Sequence, residues 1–187
     1  MRVQLKKPSG HDEPRFLEAA RRSRRFLRRW APPPCTPVAY RAYIRRLRKQ
    51  THEGRFVVLR TSGELVGVIN VNEIVRGALR SAYLGYYAFV PHAGRGYMVE
   101  GLALALRWIF GALALHRVEA NIQPGNAASR ALVRRLGFRR EGFSPRYLKV
   151  AGRWRDHERW ALVAEDWHRQ RTSHFDKQRS RRAGGQR

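Results

Sequence analysis

Apolar residues along this chain follow two patterns, one typical of strands and one typical of helices. The two patterns alternate along the sequence, which predicts a domain that mixes helices and strands. Stretches rich in aromatic and β-branched residues, separated by turn residues such as Ser62-Gly63 and Arg76-Gly77, predict strands. Apolar residues spaced three and four apart predict helices with one buried face. In chain order the pattern predicts a strand, two helices, three strands, a helix, a strand, a helix and two strands. The predicted strands span Arg2–Leu5, Arg55–Arg60, Leu65–Val75, Tyr83–Val90, Arg117–Gln123, Arg140–Val150 and Trp154–Val163.

The predicted helices have recognisable ends. The first opens at Asp12 and stops before the Pro32-Pro33-Pro34 run, and the second starts at Thr36-Pro37. The last runs from Asn126 to Leu136 and stops at Gly137, a typical C-cap residue. The apolar faces of the first three helices carry Phe16, Ala20, Ser23, Leu27 and Trp30, then Tyr40, Ile44 and Leu47, then Leu102, Leu106, Ile109 and Leu113.

Composition narrows the class of protein. With 187 residues, 43% of them hydrophobic, the chain has the size of one domain. We expect that domain over residues 1–167, followed by a basic, disordered tail over residues 168–187. The longest apolar stretch, Leu102 to Leu115, is too short to span a bilayer, so no membrane partner is expected. Cys35 is the single cysteine, and His and Cys nowhere gather at metal-ligand spacing, which predicts a cytoplasmic domain with no metal and no disulfide.

The net charge of +25 indicates a polyanionic partner. Lysine and arginine number 39 against 14 acidic residues, and seven arginines fall between Arg15 and Arg29. Such a field attracts nucleic acid, and ribosomal RNA is the natural candidate. The alternative is that a compositional bias toward arginine has filled the surface, with solubility as its one consequence.

The sequence Gly94-Arg95-Gly96 lies between a predicted strand and a predicted helix. Two glycines at such a junction allow a sharp turn that brings several N–H groups together, and the positive end of the helix dipole points to the same place. This arrangement is typical of a phosphate site, although plain turn chemistry explains the same residues.

Two motifs and the order of the elements resemble the GCN5-related N-acetyltransferase (GNAT) superfamily. Gly94-Arg95-Gly96 is similar to its acyl-coenzyme A pyrophosphate loop, and Asn126-Ala127-Ala128-Ser129 followed by Leu136-Gly137-Phe138 is similar to its next landmark. Further stretches resemble the ribosomal-protein-alanine N-acetyltransferases of the RimJ type, notably 116–121, 141–143 and 152–157. The resemblance implies an α/β fold with a central twisted mixed sheet, flanked by helices and with splayed strands at the cofactor site.

The resemblance also implies acetyl-CoA as co-substrate, with no metal. Its pyrophosphate would meet the amides of the glycine loop, and its pantetheine arm would run between the splayed strands. The thioester oxygen would meet a backbone N–H near Ala88 to Val90. The cofactor-binding residues are then Phe89, Val90, Gly94, Arg95, Gly96, Tyr97, Met98, Asn126, Ser129 and, for the 3′-phosphate, Arg134.

Catalytic residues are harder to identify. Ser129 lies three residues along the helix from Asn126, hence on the same face, and is the candidate that protonates the departing thiolate. The family's more common donor is a tyrosine at the position that Val133 occupies here. Many relatives carry a glutamate that acts as the general base at the position of Asn121. Glu119 lies two residues earlier on the same face of the strand, so it is the alternative candidate for the base. The other interpretation of Glu119 is an ion pair with a nearby arginine.

The acceptor predicted from these features is the α-amine of a protein N-terminus, with a ribosomal protein as the natural candidate. Trp30, Tyr86 and His157 are the predicted acceptor-binding residues. A small-molecule amine is an alternative acceptor, and a basic RNA-binding module with a degenerate catalytic site is an alternative function. The sequence leaves open a monomer or a homodimer.

Overall fold

A computed structural model describes residues 1–170, which form one seven-stranded mixed sheet with helices on both faces. The seven strands of this part of the chain are β1 (Val3–Lys6), β2 (Glu53–Leu59), β3 (Leu65–Val75), β4 (Ser81–Ala88), β5 (Arg117–Ile122), β6 (Arg139–Val150) and β7 (Arg153–Val163). The spatial order is β1-β2-β3-β4-β5-β7-β6. Every neighbouring pair is antiparallel except β4 and β5, which are parallel. The predicted α/β fold class is confirmed.

The helices begin and end close to the predicted residues. They are α1 (Glu13–Leu27), α2 (Pro37–Arg46), α3 (Tyr97–Phe110) and α4 (Ala127–Arg135), and a further helical segment covers residues 164–170. One prediction is wrong: α1 ends at Leu27, so Trp30 lies in the following turn, where its N–H donates to the Leu27 carbonyl at 3.0 Å. The prediction placed Trp30 in the helix because the helical spacing of apolar residues continues beyond Leu27, where the helix ends. A short 3-10 turn, Gly10–Asp12, precedes α1.

The core has two layers, one on each face of the sheet. In the first layer, Phe16 of α1, Tyr40 of α2 and Phe89, which follows β4, are fully buried. Leu102, Leu106 and other apolar residues of α3 and α4 fill the opposite face. Successive residues of β4 therefore serve different layers, because strand side chains alternate between faces.

The sheet opens between its two parallel strands. β4 and β5 pair only from Ser81 to Tyr83 with Arg117 to Glu119. Beyond these three pairs β4 continues to Ala88 and β5 to Ile122 without pairing to each other. The predicted splay is therefore present, and it divides the sheet into two wings joined at a narrow base.

The predicted tail is described only at its start, where residues 168–170 continue the last helical segment. Residues 171–187 lie outside the described part of the chain. Within residues 1–170, no helix has both the length and the apolar character that crossing a bilayer requires.

Candidate active site

A cavity of about 590 Å³ fills the opening between the two wings of the sheet. Its walls come from the end of α1, the facing edges of β4 and β5, the loop that leads into α3, one face of α4, and the tip of the β6–β7 hairpin. The cavity thus reaches both faces of the sheet, and a molecule bound on one side can contact one bound on the other.

The free edge of β4 carries backbone groups with no partner strand. The Phe89 N–H donates to the Val66 carbonyl at 2.8 Å, and the Val90 N–H donates to Ser23 Oγ at 3.0 Å. Antiparallel pairing with β3 turns alternate amides the other way, so the Ala88 N–H points into the opening. Of the three amides predicted to meet a thioester oxygen, that of Ala88 is the free one.

The glycine loop after β4 has the backbone geometry of an anion site. Gly94 and Gly96 both have φ of +78°, in the left-handed region that favours glycine, and Gly96 is the N-cap of α3. A Cβ atom at Gly94 would have no neighbour within 4 Å, so the space beside the loop is open. The first N–H groups of α3, including those of Tyr97 and Met98, have no acceptor inside the helix. They form the positive end of the helix dipole at this point.

A carboxylate near this loop is neutralised. The N–H and Nε of Arg2 donate to the Glu100 carboxylate, each at 2.6 Å. Although burial raises the pKa of Glu100, the hydrogen bonds from Arg2 outweigh that effect and the pKa lies below its ordinary value. The Arg2 guanidinium also lies 4.5 Å from the centre of the Tyr97 ring. The negative charge in the first turn of α3 is therefore paired, and neither Arg2 nor Glu100 is among the described residues that line the cavity.

Asn126 and Ser129 face the cavity from the start of α4. Asn126 is the N-cap, and its Oδ1 accepts the Ser129 N–H at 3.2 Å. Among residues 1–170 the Asn126 amide nitrogen has no hydrogen-bond partner, so it can donate to a ligand. Ser129 Oγ lies 2.6 Å from the hydroxyl of Tyr86, which comes from β4 across the opening. Burial raises the pKa of Tyr86, so its phenol stays protonated.

The two candidate catalytic residues on β5, Asn121 and Glu119, differ in their surroundings. Asn121 lines the cavity, and its Oδ1 is buried with no hydrogen-bond partner in the described residues. Glu119 lies outside the cavity lining and accepts Nε of Arg117 at 2.9 Å, while Arg117 also pairs with Glu141. The arginine partner considered for Glu119 is therefore present, and the carboxylate is held at the closed base of the opening.

The predicted acceptor residues all line the cavity. Trp30 lies against the loop between β5 and α4, where a Cβ at Gly125 would be 3.4 Å from its ring. His157 is 3% exposed, and its Nδ1 lies 2.9 Å from the Arg155 carbonyl, so Nδ1 carries the proton and Nε2 is the acceptor. Burial lowers the pKa of His157, which keeps the imidazole neutral near pH 7.

Not every predicted cofactor residue reaches the cavity. Gly94, Gly96, Met98, Asn126 and Ser129 line it, whereas Phe89 is a core residue and the Val90, Arg95, Tyr97 and Arg134 side chains do not line it.

The arginine of α4 that faces the cavity is Arg135, while the guanidinium of Arg134 lies over the ring of Trp160 at 5.7 Å. Sequence reasoning missed Arg135, yet a signal existed. Arg135 follows Ala128 by seven residues, which is two helical turns, and so shares its face. In residues 1–170, no three His, Cys, Asp or Glu side chains are grouped to hold a metal ion.

The mixed sheet opens between two parallel strands, with a glycine-capped helix after the first and an asparagine-capped helix after the second, as the resemblance to the acetyltransferases implies. Residues 2–139 match the sequence profile of the acetyltransferase (GNAT) domain, and the chain belongs to this family. It is 36% identical over 153 residues to the [ribosomal protein uS5]-alanine N-acetyltransferase of Escherichia coli, covering 78% of this chain and 79% of that protein.

Solved structures agree with this family. The structure of Mycobacterium smegmatis RimJ in complex with CoA-disulfide superposes with a TM-score of 0.80 at 31% identity, covering 87% of this chain and 82% of that one. The spermidine N-acetyltransferase of Vibrio cholerae, solved with CoA and spermine, gives a TM-score of 0.76 over 89% of this chain and 98% of that one. At 19% identity, that likeness shows the fold alone.

Proposed function

We propose that this acetyltransferase transfers the acetyl group of acetyl-CoA to the α-amine at the N-terminus of a protein, and that the protein is ribosomal. The observation that carries the proposal is that none of the described residues lining the cavity is a carboxylate. A lysine amine, with an intrinsic pKa of about 10.4, needs a strong base to lose its proton near pH 7. An α-amine has an intrinsic pKa of about 7.7–8.0, so an appreciable fraction is already neutral.

The same observation disfavours a polyamine acceptor. A polyamine carries several positive charges, and a site that selects it gains affinity from carboxylates that face those charges. The cavity lining offers instead the imidazole of His157 and apolar surface. The name of the Escherichia coli relative, which states a ribosomal protein as substrate, supports the same class of acceptor.

The cofactor side of the cavity fits acetyl-CoA. The open space at Gly94 and the free amides at the start of α3 suit a pyrophosphate, and Arg135 suits the 3′-phosphate. The Asn126 amide nitrogen can donate to a pantetheine carbonyl, and the Ala88 N–H can donate to the thioester oxygen. Acetyl-CoA supplies the activated acyl group when bound, and these residues hold it in register.

On the acceptor side, acetyl transfer needs a neutral amine and a group that donates a proton to the departing sulfur. In the described residues, His157 Nε2 is a free acceptor at the cavity wall, and it accepts one N–H of the amine, which orients the nitrogen lone pair toward the carbonyl carbon. The amine nitrogen bonds to the carbonyl carbon, the carbon–sulfur bond breaks with its electron pair on sulfur, and Ser129 passes a proton to the sulfur and regains one from water. The proton lost by the nitrogen leaves to water.

A basic face beside the cavity suits contact with RNA. We define it as the exposed arginines and lysine of α1, α2 and the turns that follow them, of which only Arg22 and Arg41 have a carboxylate partner in the described residues. The basic face consists of Arg21, Arg22, Arg24, Arg25, Arg28, Arg29, Arg41, Arg45, Arg46, Arg48 and Lys49. Docking on ribosomal RNA through this face would bring a nearby protein N-terminus to Phe26 and Trp30 at the cavity.

Peptide acetylation tests the proposal. We expect transfer to an alanine- or serine-starting peptide, and none to the lysines of the same peptide with a blocked N-terminus. Spermidine is the competing acceptor in a parallel assay. Preference for spermidine or for the lysines would refute the acceptor. Ribosome binding should weaken steeply with salt, and binding that ignores salt would remove RNA as the partner.

A further inference from the structure

The hydroxyl groups of Tyr86 and Ser129 form the closest side-chain contact across the opening, and the reaction outlined above gives Tyr86 no role. Their oxygen atoms are 2.6 Å apart, a normal distance for a short O–H···O hydrogen bond. Tyr86 comes from the free edge of β4 and Ser129 from α4, so the bond links the two walls of the cavity.

The direction of this hydrogen bond follows from the acceptors available. In the described residues, the Tyr86 hydroxyl has two acceptors, Ser129 Oγ at 2.6 Å and the Ser129 carbonyl oxygen at 3.5 Å. The second distance is long for O–H···O. If Ser129 donated to the phenol, the phenolic proton would keep only the poor partner. The better arrangement has Tyr86 donating to Ser129 Oγ.

A serine hydroxyl has one proton, and its oxygen here is already accepting from the phenol. The described residues offer the Ser129 proton no other hydrogen-bond acceptor, and Ser129 lines the cavity. The serine proton is therefore directed into the space where the sulfur departs. A serine in a helix otherwise tends to bond back to the carbonyl four residues earlier, and the phenol opposes that rotation.

We propose that Tyr86 is a positioning residue, which holds Ser129 as the hydrogen-bond donor to the departing sulfur. The inference rests on the proposed acetyl transfer and on the role of Ser129 in it. This chain has Val133 on α4 where the family commonly has a tyrosine. The proposed role of Tyr86 explains how a phenol still reaches this part of the site, because Tyr86 supplies it from β4. The raised pKa of the phenol agrees with a group that remains a donor throughout the working pH range.

A double-mutant cycle tests this role. We expect Tyr86→Phe to lower kcat about five- to tenfold, the value of a neutral hydrogen bond, with the KM for acetyl-CoA within twofold. Ser129→Ala should lower kcat about tenfold to a thousandfold. Because Tyr86 acts through Ser129, the double variant should be no slower than Ser129→Ala alone.

Tyr40→Phe is the matched control. The Tyr40 hydroxyl is also engaged, donating to the Ser9 carbonyl at 2.7 Å, but it lies in the other core layer. This variant should lose thermal stability and keep kcat. A stability loss for Tyr86→Phe with unchanged kcat, measured where chemistry limits the rate, would make the role purely structural and overturn the proposal.

Three further results would overturn it: losses that multiply in the double variant, a rise in KM alone, or a larger loss for Tyr86→Phe than for Ser129→Ala. All variants are assayed with the acceptor peptide and with spermidine. If the wild-type enzyme acetylates only spermidine, the proposal of an N-terminal acceptor is refuted. The kcat values of the Tyr86 and Ser129 variants can then still be compared with spermidine as the acceptor.

Discussion

Replacing Gly94 by alanine separates the backbone role of the glycine loop from its role in binding. Gly94 has φ of +78°, so an L-residue there is strained, yet the added methyl group meets no protein atom within 4 Å. We expect a loss of about 1 kcal/mol in unfolding free energy, since left-handed strain of about 1–2 kcal/mol is partly offset by a less flexible unfolded chain. For a domain of this size that is about 2–4 °C in Tm.

Gly77 supplies the control, because it has φ of +69°, equally open surroundings and a position in the β3–β4 turn. Gly77→Ala should lower Tm by a similar amount. Coenzyme A at about a hundredfold excess over Kd stabilises the wild-type protein by about 2.7 kcal/mol. The methyl group of Gly94→Ala would occupy the space that we propose for the pyrophosphate, so we expect Kd to rise at least tenfold, which reduces that gain to about 1.4 kcal/mol or less.

Thermal denaturation with and without coenzyme A measures both effects. Gly77→Ala should keep the full ligand-induced shift in Tm, and Gly94→Ala should lose about half of it or more. If the two variants respond to the ligand alike, the loop does not hold the pyrophosphate and the reasoning about free amides is refuted.

Three other substitutions check the site and the core. His157→Phe removes the acceptor nitrogen Nε2 from the cavity wall, so kcat/KM for the acceptor peptide should fall about tenfold with little change in the KM for acetyl-CoA, and an unchanged kcat/KM would exclude contact with the amine. Glu119→Gln should leave kcat within twofold because Arg117 holds the carboxylate outside the cavity, whereas a loss above tenfold would identify it as the base. Asp12→Asn should lower the unfolding free energy by about 1–3 kcal/mol at pH 7, since the 1% exposed Asp12 accepts the N–H and Oγ–H of Ser9. Burial raises the pKa of Asp12, but its hydrogen bonds outweigh this and the pKa is lowered, so its contribution is complete above the unfolded pKa and is lost as pH falls through the folded pKa. The difference between wild type and variant in urea denaturation should therefore shrink in acid, and a difference independent of pH would contradict this.

The elements could be predicted because their signals are local. β3 was predicted at its observed limits, Leu65–Val75, since turn residues bracket a long apolar run. α4 was predicted to begin at Asn126 because an asparagine side chain can cap a helix, and Asn126 does so. The end of α1 was placed too late, since helical spacing continues through Trp30 although the helix stops at Leu27.

The glycine loop was also within reach of the sequence, since a positive φ at Gly94 depends on the residue itself. Contacts between distant side chains were not. Whether Arg134 or Arg135 faces the cavity depends on the rotation of α4 about its axis. Whether Tyr86 reaches Ser129 depends on how far β4 and β5 diverge, and no pattern within either strand records that distance.

The opening between β4 and β5 is an unpaired sheet edge that lies inside the molecule. Unpaired edges usually invite a strand from another chain, and proteins blunt them with charge, proline or a covering element. Here three residue pairs close one end of the gap, while Leu27 and Trp30 of the α1 region and Ser129 of α4 stand over it. The unpaired edge is therefore enclosed by other elements of the same chain, and the protein keeps an unfinished sheet without presenting it openly to a strand from another molecule.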